Sequence, residues 1–337
     1  MKRLGNLYEQ VFADDNIKLA IKRASVGKTK RMVFKYANEH EEEIIEFVKN
    51  NPSYKGIAKE LDRVDRASGK TRSIKVPDYK NLIIQHCLMQ IVYPILSKSF
   101  YYHSYGALPN KGMFKASNAV KRMVKPNRYY IQCDIVKYYE SIDRDVLMAL
   151  MGRKIKDIRV LELLKPVNPK GLPIGNYTSQ ILANFYLTPL DHYVKEVLMI
   201  SEYIRNMDDF IIFGKSKREL WKQYLLIKDF LEEELKLSIH EERVKIRGIT
   251  DKDFVDFCGY KNYKDHTTLR KRTYRRLRKL MFNLHRYLRV KWVRSFFSYW
   301  GFITKTNCHK WLAKYMPMIN MANMRKLIST SMKGATI

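Results

Sequence analysis

Short apolar runs closed by polar turns alternate along this chain with segments of helical period. RYYIQCDI, residues 128–135, is a continuous apolar run after a Pro-Asn turn and predicts a buried strand ending at Asp134. EYIRNMDDFIIFGK, residues 202–215, predicts strand, tight turn and strand, with Asp208 and Asp209 at the junction. Between the two, SIDRDVLMALM opens a helix, and GLPIGNYTSQILANFYLTPLDHYV (171–194) is a Gly/Pro loop feeding another. Ser216 and Glu219 form a capping box ahead of the helix LWKQYLLIKDFLEEEL. Upstream, residues 1–60 read as mostly helical. EHEEEIIEFVKN (39–50) is an amphipathic helix with an acidic first turn, and IKRASVGKTKR (21–31) is a basic turn. TRSIKVPDYKNLIIQHCLMQIVYPIL (71–96) passes from an extended segment through Pro77 into a helix. There Leu82, Ile83, Cys87, Ile91 and Leu96 follow the helical period. In the tract LRKRTYRRLRKLMFNLHRYLRVKW (269–292), Leu277, Leu280, Met281, Leu284 and Leu288 form an apolar stripe under dense cations. That pattern predicts a cationic helix packed on the body rather than a loose tail.

Charge changes the picture more than composition does. Of 337 residues, 46% are hydrophobic, enough for a core spread over more than one subdomain. The chain carries 64 Lys plus Arg against 34 Asp plus Glu, a formal net charge of +30. Such an imbalance repels itself unless the partner is a polyanion, so nucleic acid leads, and the basic turn at 21–31 would face it. The 23 tyrosines include candidates for stacking on bases, although most belong in the core or at its edge. No apolar stretch is long enough to span a bilayer, and MKRLGNLYEQ lacks the apolar core of a signal peptide. Cys87, Cys133, Cys258 and Cys308 lie far apart with no Cys-x-x-Cys pair, which argues against a zinc ribbon or a disulfide framework and fits a reducing cytoplasm.

In so cationic a chain, the adjacent acids Asp208 and Asp209 need an explanation. Neighbouring carboxylates repel and are costly to desolvate, so they require cations or water. Taken alone, they fit a hairpin tip in solvent better than a site. Asp134 at the end of a separate strand adds a third acid. Phosphoryl transfer with two divalent ions needs two or three carboxylates from separate strands.

The order of these segments resembles that of reverse transcriptases. CDIVKYYESID resembles their motif A, GLPIGNYTSQ motif B, and RNMDDF motif C, which usually reads Tyr-x-Asp-Asp. RSIKVPDYKNLIIQH and HSYGALPNKGMFKA look like the fingers motifs, FCGY like the primer-grip hairpin and LRKRTYRRLRKL like a thumb. The likeness covers roughly residues 1–312. The Ile-Gly-x-x-x-Ser-Gln form of motif B, with the N-terminal MKRLGNLYEQVFADDNIKLAIKRASVGK, is similar to compact prokaryotic enzymes of diversity-generating retroelements and of anti-phage defence. The resemblance implies an α+β, right-hand polymerase fold: an N-terminal helical and basic extension (1–60), fingers (61–127), a palm interleaved with fingers elements (128–265) and a helical thumb (266–337). It implies an RNA-directed DNA polymerase in the cytoplasm that copies a structured non-coding RNA into cDNA, using dNTPs and two Mg²⁺ ions, for which Mn²⁺ can substitute. An RNA/DNA hybrid, and an accessory protein or a second copy of the chain, belong to the same expectation; a membrane does not.

By that resemblance Asp134, Asp208 and Asp209 are metal ligands, with the carbonyl of Ile135 as an extra donor. Tyr139 falls at the steric gate against a ribose 2′-OH; a core tyrosine is the plain alternative. Arg72, and more weakly Lys70, would clamp the triphosphate. Gly175 would let backbone approach the nucleotide, and Ser179 and Gln180 would line its pocket; Ser179 also suits a helix N-cap. Arg270, Arg272, Arg275, Arg276 and Lys279 would hold nucleic acid. Three departures stand out. Asn206 replaces the usual motif C Tyr, which touches the primer end, and Ile174 replaces a Gln that contacts the nucleotide. Arg243 replaces a Lys, and because Arg is a poor proton donor, Lys245 on the same face of a strand becomes the candidate acid for pyrophosphate. His86 and His240 read as core or surface residues. Two other readings use the same features: an RNA-binding scaffold that synthesises nothing, and a template-independent or protein-primed polymerase, which Asn206 favours.

Overall fold

Four helices open the chain: α1 (Tyr8–Val11), α2 (Asp14–Ser25), α3 (Met32–Glu39) and α4 (Glu41–Asn50). The computed structural model describes residues 3–28, 31–64, 71–282 and 290–333. α2 begins on Asp14 and Asp15 and ends on Lys22 and Arg23, the charge order that suits a helix dipole. It runs on to Ser25, so the basic stretch at 21–31 is helix for half its length, and residues 29–30 lie outside the described ones. β1 (Lys59–Val64) and β2 (Thr71–Val76) form an antiparallel hairpin with mostly exposed residues, Arg63 opposite Arg72. α5 (Tyr79–Ser97) follows, started by Asp78, whose Oδ1 accepts from the N–H groups of Lys80 and Asn81 at 2.9 and 3.0 Å. α2 and α4 pack on α5 through Ile17, Ile21, Ile44 and Val48, all buried.

After α6 (Met113–Val124) comes β3 (Tyr129–Asp134), the predicted strand. Helices α7 (Tyr138–Ser141), α8 (Arg144–Gly152), α9 (Ile158–Leu164), α10 (Tyr177–Tyr186) and α11 (Thr188–His192) and a π-helical turn at Tyr193–Val197 precede β4 (Tyr203–Asn206) and β5 (Asp209–Gly214). α12 (Lys217–Leu235) starts at Ser216, whose Oγ accepts from Glu219 N–H as the capping box predicts. With β6 (Ile246–Gly248) the strands make an antiparallel sheet of order β4-β5-β3-β6.

Both faces of this sheet are covered, which is why its strands read as continuous apolar runs. Ile131, Cys133, Tyr203, Phe210 and Ile212 join the large core shared with α5, α10 and α12. Tyr130, Ile204, Ile211 and Phe213 join a second cluster with Ala116, Ala119 and Val120 of α6. A meander of β7 (Val255–Phe257), β8 (Tyr260–Asn262) and β9 (Thr267–Leu269) leads to α13 (Lys271–Phe282), α14 (Val290–Ile303), α15 (His309–Tyr315) and α16 (Met321–Lys333). These share a third cluster, in which Leu277 and Met281 of α13 meet Trp292, Val293 and Phe296, with Leu280 partly buried against it. Leu284 and Leu288 of the expected stripe lie outside the described residues. No described helix is long and apolar enough to cross a membrane.

Candidate active site

The register of β3 against β5 makes Asp134 and Asp209 direct cross-strand partners, and Asp209 is also opposite Asn206 of β4. Residues opposite one another in an antiparallel pair project to one face, so Asp134, Asp209 and Asn206 form a polar row at the end of the sheet. Gln132, two residues before Asp134, shares that face and donates from Nε2 to Asp209 Oδ1 at 2.9 Å. Asp208 sits on the two-residue turn between β4 and β5. Asp208 and Asp209 keep some solvent contact, yet protein encloses them closely enough to disfavour their charged forms. Burial raises Asp208, with Asp134 adding repulsion and Arg72 opposing it. Burial pushes Asp209 up to about 7, the other two acids adding to the effect and Gln132 offsetting part of it.

The turn itself is held in an uncommon shape. Met207 has φ +59°, a left-handed conformation that a long side chain adopts only under outside constraint. Residues 103–106 supply that constraint by running parallel to β4: Arg205 N–H donates to His103 O at 3.0 Å and Tyr105 N–H to Arg205 O at 2.9 Å. Gly106 lies so close to Met207 that a Cβ there would stand 2.7 Å from the Met207 nitrogen. Gly106 falls within the fingers-like HSYGALPNKGMFKA, about a hundred residues before the turn it shapes, and no local pattern ties the two together.

Beside Asp208, Tyr139 follows the left-handed Lys137 that starts α7 and is half-buried. Burial pushes its hydroxyl up to about 12; Asp208 raises it and Arg72 lowers it, so all three lie in one electrostatic neighbourhood. Arg72 projects from the exposed hairpin strand β2, whereas Lys70 lies outside the described residues. Gly175 (φ +117°) is needed for a close approach, but to the hairpin rather than to open space. A Cβ there would overlap the Lys75 carbonyl oxygen and stand 2.8 Å from Ile74 Cγ2. Lys75 N–H donates to Ile174 O at 2.7 Å, so the loop and β2 are tied together. Ser179 is inside α10, not at its N-cap, because the helix starts at Tyr177 with Gln85 Oε1 accepting from Tyr177 N–H at 2.8 Å. Ser179 is 2% exposed and faces a cavity of about 720 Å³ that Arg72, Lys75 and Gln85 also line, while Gln180 is exposed.

A family profile described as reverse transcriptase (RNA-dependent DNA polymerase) matches residues 57–262, more than half of the chain and all of the segments just described. The chain belongs to the reverse transcriptase family. Its α+β architecture is therefore that family's right-hand polymerase fold. Similar proteins include YkfC of Escherichia coli, 24% identical over 62% of this chain and 66% of that protein. The group II intron-encoded protein LtrA of Lactococcus lactis is 25% identical over 49% of this chain and 30% of its own. The retron Ec73 reverse transcriptase of Escherichia coli is 27% identical over 48% of this chain and 58% of its own. The chain thus spans less than two thirds of each of these relatives. A solved telomerase from Candida albicans overlays with a TM-score of 0.48 at 13% identity, over 70% of this chain and 50% of that one.

In this reverse transcriptase the cations around the acids are arranged differently from the sequence reading. Arg243 Nη1 lies 2.9 Å from Asp134 Oδ2, both half-exposed. Arg243 ends a 3-10 turn, Glu241–Arg243, and Lys245 precedes β6, so the two do not share a strand face as expected. The turn forms because the chain pairs with the end of β3: His240 N–H donates to Asp134 O and Val136 N–H to Ser238 O. The same pairing holds Ile135 opposite Ile239. Arg270 pairs with Asp256 at the foot of α13, whereas Arg272, Arg275 and Lys279 lie exposed along that helix and Arg276 is partly buried. His86 stacks on Tyr177, and His240 contacts Glu242. Among the described residues, no three His, Cys, Asp or Glu side chains close a metal site by themselves. Magnesium does not require such a cage, since it keeps several waters and takes one or two carboxylates together with substrate phosphate.

Proposed function

We propose that this chain is an RNA-directed DNA polymerase that copies a structured non-coding RNA into cDNA by magnesium-dependent nucleotidyl transfer. The observation that carries the reading is the direct opposition of Asp134 and Asp209 across β3 and β5, with Asp208 on the adjoining turn beside Tyr139 and Arg72. Asp134, Asp208 and Asp209 would hold two Mg²⁺ ions, or Mn²⁺ in their place, with the Ile135 carbonyl as a further oxygen donor. The donor set fits such ions: it is all oxygen, and burial outweighs the nearby guanidinium groups in disfavouring ionisation of Asp208 and Asp209. When bound, divalent ions supply the charge neutralisation for attack by a primer hydroxyl and departure of pyrophosphate.

The chain's own residues do the rest. Arg72 binds the triphosphate, and the bond from Lys75 to Ile174 holds its hairpin over the site. Tyr139 keeps its proton, adds no charge, and blocks a ribose 2′-OH. Gln180 lines the nucleotide pocket with Ser179, Asn206 faces the primer end, and Lys245 protonates the leaving pyrophosphate. Residues 1–60 serve as a basic extension, 61–127 as fingers, 128–265 as palm and 266–337 as thumb. Along the thumb, Arg270, Arg272, Arg275, Arg276 and Lys279 hold the RNA/DNA hybrid through phosphates, which positions it without reading its sequence. Ile174 before Gly175 supports a place among the compact enzymes of diversity-generating retroelements or phage defence.

The test is Asp208→Ala with Asp209→Ala. The double variant should fold and lose dNTP incorporation, because the acids serve ion binding and not packing. Undiminished synthesis by the folded variant overturns the reading. A wild-type protein that binds RNA but incorporates nothing would establish the scaffold instead.

A further inference from the structure

The most deeply buried charge in the described chain is Arg205, three residues before the catalytic acids and 0% exposed. It lies on the opposite face of β4 from Asn206, away from the site. Its Nε and Nη2 donate to Asp191 Oδ1 and Oδ2 at 2.8 and 2.5 Å. Asp191, on α11, is 1% exposed and also accepts from Tyr203 OH at 2.8 Å. The remaining arm reaches toward the active site: Nη1 donates to Asn184 Oδ1 at 3.3 Å and to Met207 O at 3.2 Å. Met207 O belongs to the peptide that enters Asp208. Asn184 in turn donates from Nδ2 to Gly106 O at 2.7 Å, in the segment that braces the same turn.

One guanidinium therefore spans α11, α10 and the acidic turn. A buried ion pair is a weak source of stability, since apolar residues of similar volume often replace one without loss. A planar fork that fixes several partners at once is instead a source of direction. The turn needs direction because Met207 stands in a left-handed conformation that its own side chain disfavours.

We propose that Arg205, locked by Asp191, is a positioning residue: a strut that sets the Met207–Asp208 peptide and thereby the placement of Asp208 and Asp209. It touches no substrate and acts only through the turn. This rests on the polymerase reading for its effect on rate, but not for its effect on the backbone.

Two variants test it. Arg205→Met with Asp191→Asn removes both charges together and leaves an acceptor for Tyr203. Arg205→Lys keeps a charge for Asp191 but lacks the arms to reach Asn184 and Met207. Amide hydrogen exchange of the peptide 206–210 should quicken by about tenfold in the paired variant, with peptides of α2 and α5 unchanged. In primer extension kcat should fall by roughly a hundredfold while KM for dNTP stays within about twofold. Arg205→Lys should melt like wild type yet show intermediate exchange and kcat. A folded paired variant with wild-type exchange at 206–210 overturns the strut, as does exchange that quickens equally throughout the chain. Should the paired variant not fold, Arg205→Lys is judged by the same exchange criterion. If the wild type makes no DNA, the polymerase reading fails and the exchange data still decide the strut.

Discussion

Replacing Gly175 by Ala probes how the hairpin is held over the site. Two costs arise. At φ +117° any L side chain is strained, by about 1–3 kcal/mol. The new Cβ also overlaps the Lys75 carbonyl oxygen and lies 2.8 Å from Ile74 Cγ2 and 3.0 Å from the Lys75 carbonyl carbon, where ordinary contact begins at 3.4 Å. Backbone cannot swing aside as a side-chain tip can, so β2 must retreat by about 1 Å and carry Arg72 with it. A shift of that size at a substrate-positioning group costs up to about a hundredfold in rate. Gly112→Ala isolates the first cost: its φ is +109°, and nothing lies within 4 Å of the added Cβ. By thermal or urea unfolding Gly112→Ala should lose about 1–3 kcal/mol of stability, and Gly175→Ala about 1–3 kcal/mol more from the overlap with β2. In single-nucleotide incorporation on a primed template, Gly175→Ala should lose about thirty- to a hundredfold in kcat/KM for dNTP. Gly112→Ala should stay within about threefold of wild type. Equal kcat/KM values for the two variants would refute the coupling of motif B to the hairpin.

Three further outcomes are expected. Tyr139→Ala should raise the rNTP-to-dNTP ratio of kcat/KM by about tenfold or more, and an unmoved ratio would make Tyr139 a core residue. Arg243→Gln should lower the half-saturating Mg²⁺ concentration about two- to fivefold, the worth of one exposed ion pair, as the competing cation on Asp134 is lost; no change would mean that the contact does not compete. His86 is pushed down to about 4 by burial, so its protonation favours the unfolded chain. The share of stability that His86 contributes above pH 6.5 should fall as pH drops toward 4, by about 1 kcal/mol at pH 5 once its partial exposure is discounted. His86→Gln should flatten that fall, and an identical pH profile would exclude His86 as its source.

β3 and β5 are legible in the sequence because both faces of their sheet are buried, which turns each strand into an apolar run with acids only at the open end. The stripe of α13 is legible as far as Leu277 and Met281 for the same reason. Arg243 and Lys245 fail to share a strand face because β6 begins only at Ile246. Pairing of His240 with the end of β3 bends the chain into a 3-10 turn first. Gly175 announces a close approach but not its partner, which comes from the distant hairpin, and nothing at Gly106 announces Met207. Arg205 is hidden most thoroughly. A charge inside a strand reads as solvent-facing, and its partner Asp191 lies on a different element. The available signal is parity: Arg205 shares a face with Tyr203, and a charge on a buried face must be paired.

The pairing of β3 with β5 has a consequence for how the protein comes into being. Asp134 and Asp209 are 75 positions apart along the chain (209 − 134) and become neighbours only when the two strands dock in register. Helices α2, α4 and α5 can form early from local contacts, whereas this pairing must wait for a long loop to close. A slip of one residue would set Asp134 opposite Phe210 and turn the facing side chains to opposite sides of the sheet. Incompletely folded molecules would therefore hold every site residue and nearly the full helix content, yet have no assembled centre. Specific activity per unit of helical signal thus reports the fraction of molecules in correct register, and material recovered from denaturant should regain its helices before it regains function.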